Sequence, residues 1–155
     1  DQWWVKEPPR VMRGSLLWCS AFLNHRAVLR LLLDKKVAVD TVGCFVGDGI
    51  RREGTALWVA AALGHAGVAQ DLVARGADTT TPGQEICPSA AGFGEAVGFS
   101  TPLWCAAYHN RPDVVAVLLG MGADPNAVGS EWDPKGLGGV FVGQQLGAGR
   151  VGVAE

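Results

Sequence analysis

Cys105 and His109 stand four residues apart, a spacing that sets a thiol and an imidazole on one face of a helix, where the base can take the proton of the nucleophile. No third group to orient the imidazole accompanies them, nor a glycine turn to receive an oxyanion, so the pair predicts no catalysis and no enzyme. Gly47-Asp48-Gly49 has the glycines of a phosphate loop, but no Lys followed by Ser or Thr comes at the spacing phosphate binding needs, and the segment reads as a turn. Cys19, Cys44, Cys87 and Cys105 lie far apart, without a C-x-x-C element or a His in short reach, so neither a metal site nor a cofactor is expected. They read as reduced thiols, two of them on apolar helical positions, with a secreted disulfide framework as the alternative.

Composition narrows the classes further. Of 155 residues, 48% are apolar and 18% charged, enough for one ordinary core. The net charge of −2, with Lys and Arg scattered apart from Arg51-Arg52, excludes a polyanion held by counterion release, so nucleic acid is not an expected partner. The most apolar stretch, Ala56 to Val73, is broken by Gly64, His65, Gly67, Gln70 and Asp71, so no membrane span is expected. The opening Asp1-Gln2-Trp3-Trp4-Val5-Lys6 has neither an initiator Met nor the pattern of a signal peptide. The expectation is a monomeric module of a longer chain, in the reducing cytoplasm or nucleus.

The elements that position these residues come from an internal repeat. Three segments align without gaps: SLLWCSAFLNHRAVLRLLLDKKVAVD from Ser15, TALWVAAALGHAGVAQDLVARGADTT from Thr55 and TPLWCAAYHNRPDVVAVLLGMGADPN from Thr101. Each opens with a hydroxyl residue able to cap a helix, followed in the third by Pro102 at the first helical position. Asn24, Gly64 and Asn110 then tolerate the left-handed turn that ends one helix and starts the next. The second helices carry apolar stripes, Val28-Leu29-Leu31-Leu32-Leu33 in the first copy, that need a neighbour to cover them. Trp18, Trp58 and Trp104 share one repeat position and read as inter-repeat packing, with Trp3 and Trp4 over the open face of the first copy. His25 and His65 share the position that closes the turn between helices.

TPLW-x-AA, GH in the second copy and GAD-x-N in the third resemble the ankyrin repeat, with Trp in place of its usual His. The resemblance covers about residues 14–127 and implies an all-α solenoid of helix-turn-helix units, its β-turn fingers and first helices lining a concave binding surface. The repeats are placed at 14–41, 54–81 and 100–127, after an N-terminal flank, 1–13. Copies begin forty and then forty-six residues apart against about thirty-three in the family. The additions, 42–53 and 82–99, are rich in Gly and polar residues and are expected to extend the finger loops on the binding side. From 128 to 155 glycine density predicts a flexible tail, with Val140-Phe141-Val142 as a possible short strand.

The string DGIRREGTALWVAAALGHAGV from Asp48 is similar to a stretch in the Fem family of cullin-RING ubiquitin-ligase substrate receptors. That resemblance implies that Asp48 helps hold the basic C-terminal end of a degron peptide, with Ser100 to Leu103 matching the opening of the next repeat and His109 at the family's further acidic pocket position. A finger carboxylate suits this chemistry, because it makes charge-assisted hydrogen bonds to a guanidinium.

The expected binding residues are therefore Asp48, Arg51, Arg52 and Glu53 on the finger, Ser100, and the first-helix residues Phe22, Leu63, Tyr108 and His109. Tyr108 is the expected anchor, with the charged finger residues tuning encounter at the rim. The expected partner is a protein or peptide. Three readings follow: a general interaction scaffold, a degron receptor, and a structural segment of a longer solenoid.

Overall fold

A computed structural model describes residues 10–88 and 95–127. Trp3, Trp4 and the 128–155 tail, with Val140–Val142, lie outside the described residues. Three helix pairs stack in chain order: α1 (Leu16–Phe22) with α2 (Arg26–Asp34), α3 (Ala56–Leu63) with α4 (Ala66–Ala74), and α5 (Pro102–Tyr108) with α6 (Pro112–Gly120).

Each first helix begins where a hydroxyl satisfies an N–H that the helix itself leaves unpaired. Ser15 Oγ accepts from the Trp18 N–H at 3.1 Å, Thr55 from Trp58 at 3.2 Å and Thr101 from Trp104 at 3.3 Å. Each ends at a left-handed residue, Asn24 (φ 59°), Gly64 (φ 82°) or Asn110 (φ 56°). The next residue then returns its N–H to the helix, as His65 does to the Ala60 carbonyl at 2.9 Å. The second helices stop the same way at Lys36, Gly76 and Gly122.

Stacking explains composition helix by helix. α3 lies between α1 and α5, so Ala56 to Ala62 are all buried and its sequence is apolar on every side. The outer helices are tied by charge as well as packing. Arg26 and Arg30 of α2 both reach Asp71 of α4, at 2.7 and 2.8 Å, and Arg75 pairs with Asp34. The apolar stripe of α2 is only partly covered: Leu29 and Leu33 are buried, while Leu31 and Val28 stay exposed.

The additions 42–53 and 82–99 are more regular than finger loops. They form two hairpins, β2 (Val42–Gly47) with β3 (Ile50–Thr55) and β4 (Gly83–Pro88) with β5 (Glu95–Ser100). β1 (Val11–Arg13), within the N-terminal flank, pairs with β2, and β3 pairs with β4, giving a five-stranded antiparallel sheet in chain order. The helical stack is thus as the repeat predicts, and the fingers add a sheet to it. Asp48 (φ 53°) and Gly49 (φ 74°) make the two-residue turn between β2 and β3, where both central residues must be left-handed to match strand twist.

Glycine fastens sheet to helices. Gly43 at the start of β2 lies flat on the Trp18 indole, and Gly83 at the start of β4 lies on Trp58, so close that an added Cβ would overlap the ring. The indole N–H groups reach the partner strand of the same finger: Trp18 Nε1 donates to the Gly54 carbonyl at 2.8 Å, and Trp58 Nε1 to Ser100 Oγ at 3.3 Å. Trp18 and Trp58 therefore pack as expected, each fully buried under a finger glycine, while Trp104 is only half-buried and stacks on Tyr108.

Candidate functional site

Alternation along a strand sends successive side chains to opposite faces, so register decides which finger residues meet the helices. Met12, Phe45, Arg52 and Glu85 pair in sequence across β1 to β4 and share one row. That row faces the ends of the first helices. Phe45 packs on Phe22, ring centroids 4.6 Å apart, and His109 Nε2 lies 3.2 Å from Glu85 Oε2.

Between sheet and helices runs an open cleft of about 430 Å³ lined by Arg10, Met12, Phe22, Leu23, Phe45, Asp48, Arg52 and Leu63. Four of the expected binding residues, Phe22, Asp48, Arg52 and Leu63, meet there. Phe22 and Leu63 are half-buried, their rings and methyls forming the floor. Asp48 is exposed at the hairpin turn, and its carboxylate accepts from Arg10 Nη2 at 2.7 Å.

Arg51 and Glu53 point the other way. They pair with each other at 2.9 Å and line a separate hollow with Arg13 and Cys44 on the opposite face of the sheet, so they do not share the cleft with Arg52. Ser100 is buried and occupied by the Trp58 indole. Tyr108 is exposed beyond the cleft, stacked on Trp104 at 5.2 Å, with His109 edge-on at 5.2 Å. The sequence reading missed Arg10, Met12, Leu23, Phe45 and Glu85. Of these, Phe45 carried a signal, as a large apolar residue in a polar insertion.

Electrostatics at the back of the cleft centre on Glu85. Burial alone would raise its pKa, but hydrogen bonds from His109 and Arg52 and their positive charge outweigh that, and the carboxyl is held below its ordinary range. Arg52 Nε donates to Glu85 Oε2 at 3.0 Å, with only 16% of the Arg52 side chain exposed.

Cys105 does not act with His109. Burial pushes its thiol up to about 12, which leaves almost no thiolate near neutral pH, and His109 is engaged by Glu85 instead. Cys19, Cys44 and Cys105 are free thiols. Among the described residues no His, Cys, Asp and Glu come together in a group able to hold a metal ion, and no helix is long and apolar enough to cross a membrane.

Residues 100–130 match the family model of the ankyrin repeat. The two segments that align with this one fold into the same helix pairs, so the described residues form a domain of ankyrin-repeat architecture. No curated protein matches the chain significantly by sequence. Among solved structures, the human ASB11 ankyrin repeat domain is similar at 24% identity and a TM-score of 0.49, over 71% of this chain. The chain spans 41% of that domain's length.

Proposed function

We propose that this ankyrin-repeat domain is a protein-interaction module, monomeric and part of a longer chain, that binds a protein or peptide in the cleft between its first finger and the ends of α1 and α3. The observation that carries the reading is the cleft itself: a concave, open site floored by Phe22, Phe45 and Leu63 and edged by charge. Apolar floors with polar edges are where interface energy concentrates.

The test is selection of displayed peptides on the domain, repeated with Leu63→Arg in the cleft and Leu31→Arg on the outer face of α2. Loss of selected binders with Leu63→Arg alone supports the reading. Binding that survives Leu63→Arg and fails with Leu31→Arg would move the interface to the outer helices.

A second reading, a receptor for the basic C-terminal tail of a degron, rests on Asp48. Its carboxylate already holds a guanidinium, that of Arg10, so an incoming arginine has a geometry to copy and a rival to displace. Peptides ending in Arg, with free and amidated C-termini, test it: capture of the free form that disappears with Asp48→Ala supports the receptor. Indifference to the terminus sinks it and leaves a general scaffold. A chain that binds nothing in either assay is a structural solenoid segment.

A further inference from the structure

Arg52 is an unusual lining for an apolar cleft. Its side chain is 16% exposed, and Nε donates to Glu85, yet its four remaining N–H donors meet no partner among the described residues. A guanidinium presents five donors in a rigid plane, and donors withdrawn from water without partners are costly. Glu85 does not settle that cost, because one of its oxygens serves both Arg52 and His109. Arg10 adds a second cation to the lining, held by the exposed carboxylate of Asp48, while Glu85 behind the lining takes only one donor of Arg52.

We infer that the cleft selects a segment in which an Asp or Glu side chain lies close to a large apolar side chain. The apolar group fills the space over Phe22, Phe45 and Leu63, and the carboxylate takes the free donors of Arg52. The inference rests on the interaction-module reading and gives that cleft its chemistry. Low-polarity walls strengthen the pairing, since a carboxylate there meets Arg52 with little intervening water. A Lys or Arg in the same place would face Arg10 and Arg52 and leave those donors unpaired.

The probes are three pools of fluorescein-labelled nonapeptides, acetylated and amidated so that no terminal charge takes part. Each has a central Phe and, two residues on, a fixed Asp, Asn or Lys. Titration of the full chain by fluorescence polarisation, with chemical shifts followed at Phe45 and Leu63, is expected to rank Asp about tenfold above Asn, with Lys weakest.

Arg52→Gln removes the preference for Asp over Asn. Arg13→Gln, on the other face of the sheet, leaves it. Glu85→Gln widens it by releasing Arg52, a gain that unfolding cannot imitate. Equal affinity for the Asp and Asn pools, or a preference that survives Arg52→Gln, overturns the inference. If the pools bind equally and still shift Phe45 and Leu63, the interaction-module reading stands while this one fails. If no pool shifts the cleft, both fail.

Discussion

His65 in the second repeat holds the carbonyl of Phe22 in the first, Nε2 to oxygen 3.2 Å, and Arg111 in the third repeat holds the carbonyl of Ala62 in the second at 3.3 Å. The two donors occupy equivalent repeat positions, as do the two acceptors, so one contact is used twice with different chemistry. At the first junction the donor can titrate. At the second it cannot.

Burial holds the pKa of His65 below its ordinary value, against the hydrogen bond to Phe22 and with a small contribution from the Arg111 charge. The unfolded chain therefore takes up a proton first as pH falls, and stability declines with pH below about 6.5. Urea melts between pH 5 and 7 are expected to show this slope in the native chain and to lose it in His65→Gln, which keeps a donor without the titration. An unchanged slope would remove His65 as its source.

Asp71 answers to acid in a lower window. Hydrogen bonds from Arg26 and then Arg30, against some burial, bring its carboxyl down to about 2. The unfolded chain protonates first, so the contribution is present above about pH 4 and is lost as pH falls towards 2. Asp71→Asn is expected to cost about 1–2 kcal/mol at pH 7, allowing for the solvent-exposed arginines. The gap to the native chain should close by about pH 2.

Lys36 ends α2 in the left-handed region, φ 56°, where the second and third repeats have Gly76 and Gly122. A side chain there costs about 1 kcal/mol that glycine does not incur. Lys36→Gly is therefore expected to raise stability by about that amount in denaturant melts, whereas glycine at the exposed helical position Ala27 should lower it.

Gly43 and Gly83 leave no room for a methyl group beside Trp18 and Trp58. Gly43→Ala and Gly83→Ala are each expected to destabilise by about 1–3 kcal/mol, since the indole is fully buried and has nowhere to move. Tryptophan fluorescence through a urea melt measures it. Alanine at Gly120, which has open space around it, is the comparison.

What the sequence made legible was local chemistry. Ser15, Thr55 and Thr101 cap helices, and Asn24, Gly64 and Asn110 stop them, because those functions depend on residue type within a few positions. Arg51 and Arg52 were not separable in the same way. Which one enters the cleft depends on the strand register of an insertion that read as loop, and a shift of one residue exchanges the faces. The pairing of Glu85 with His109 depends on how a second insertion docks on a neighbouring repeat, which no local pattern encodes.

One long-range regularity was present and went unread. Gly43 and Gly83 each follow their tryptophan by the same interval of twenty-five residues. Gly129 follows Trp104 by that interval too, and lies outside the described residues.

A pile of helix pairs held only by side-chain packing flexes like a spring, each junction yielding a little. Here the pairing of β3 with β4 binds the first finger to the second by main-chain hydrogen bonds, and β1 with β2 anchors the first to the N-terminal flank. The sheet is a strap along one side of the spring. It fixes the spacing of the fingers, so the curvature a partner meets is set before that partner arrives, and little ordering entropy remains to oppose its docking.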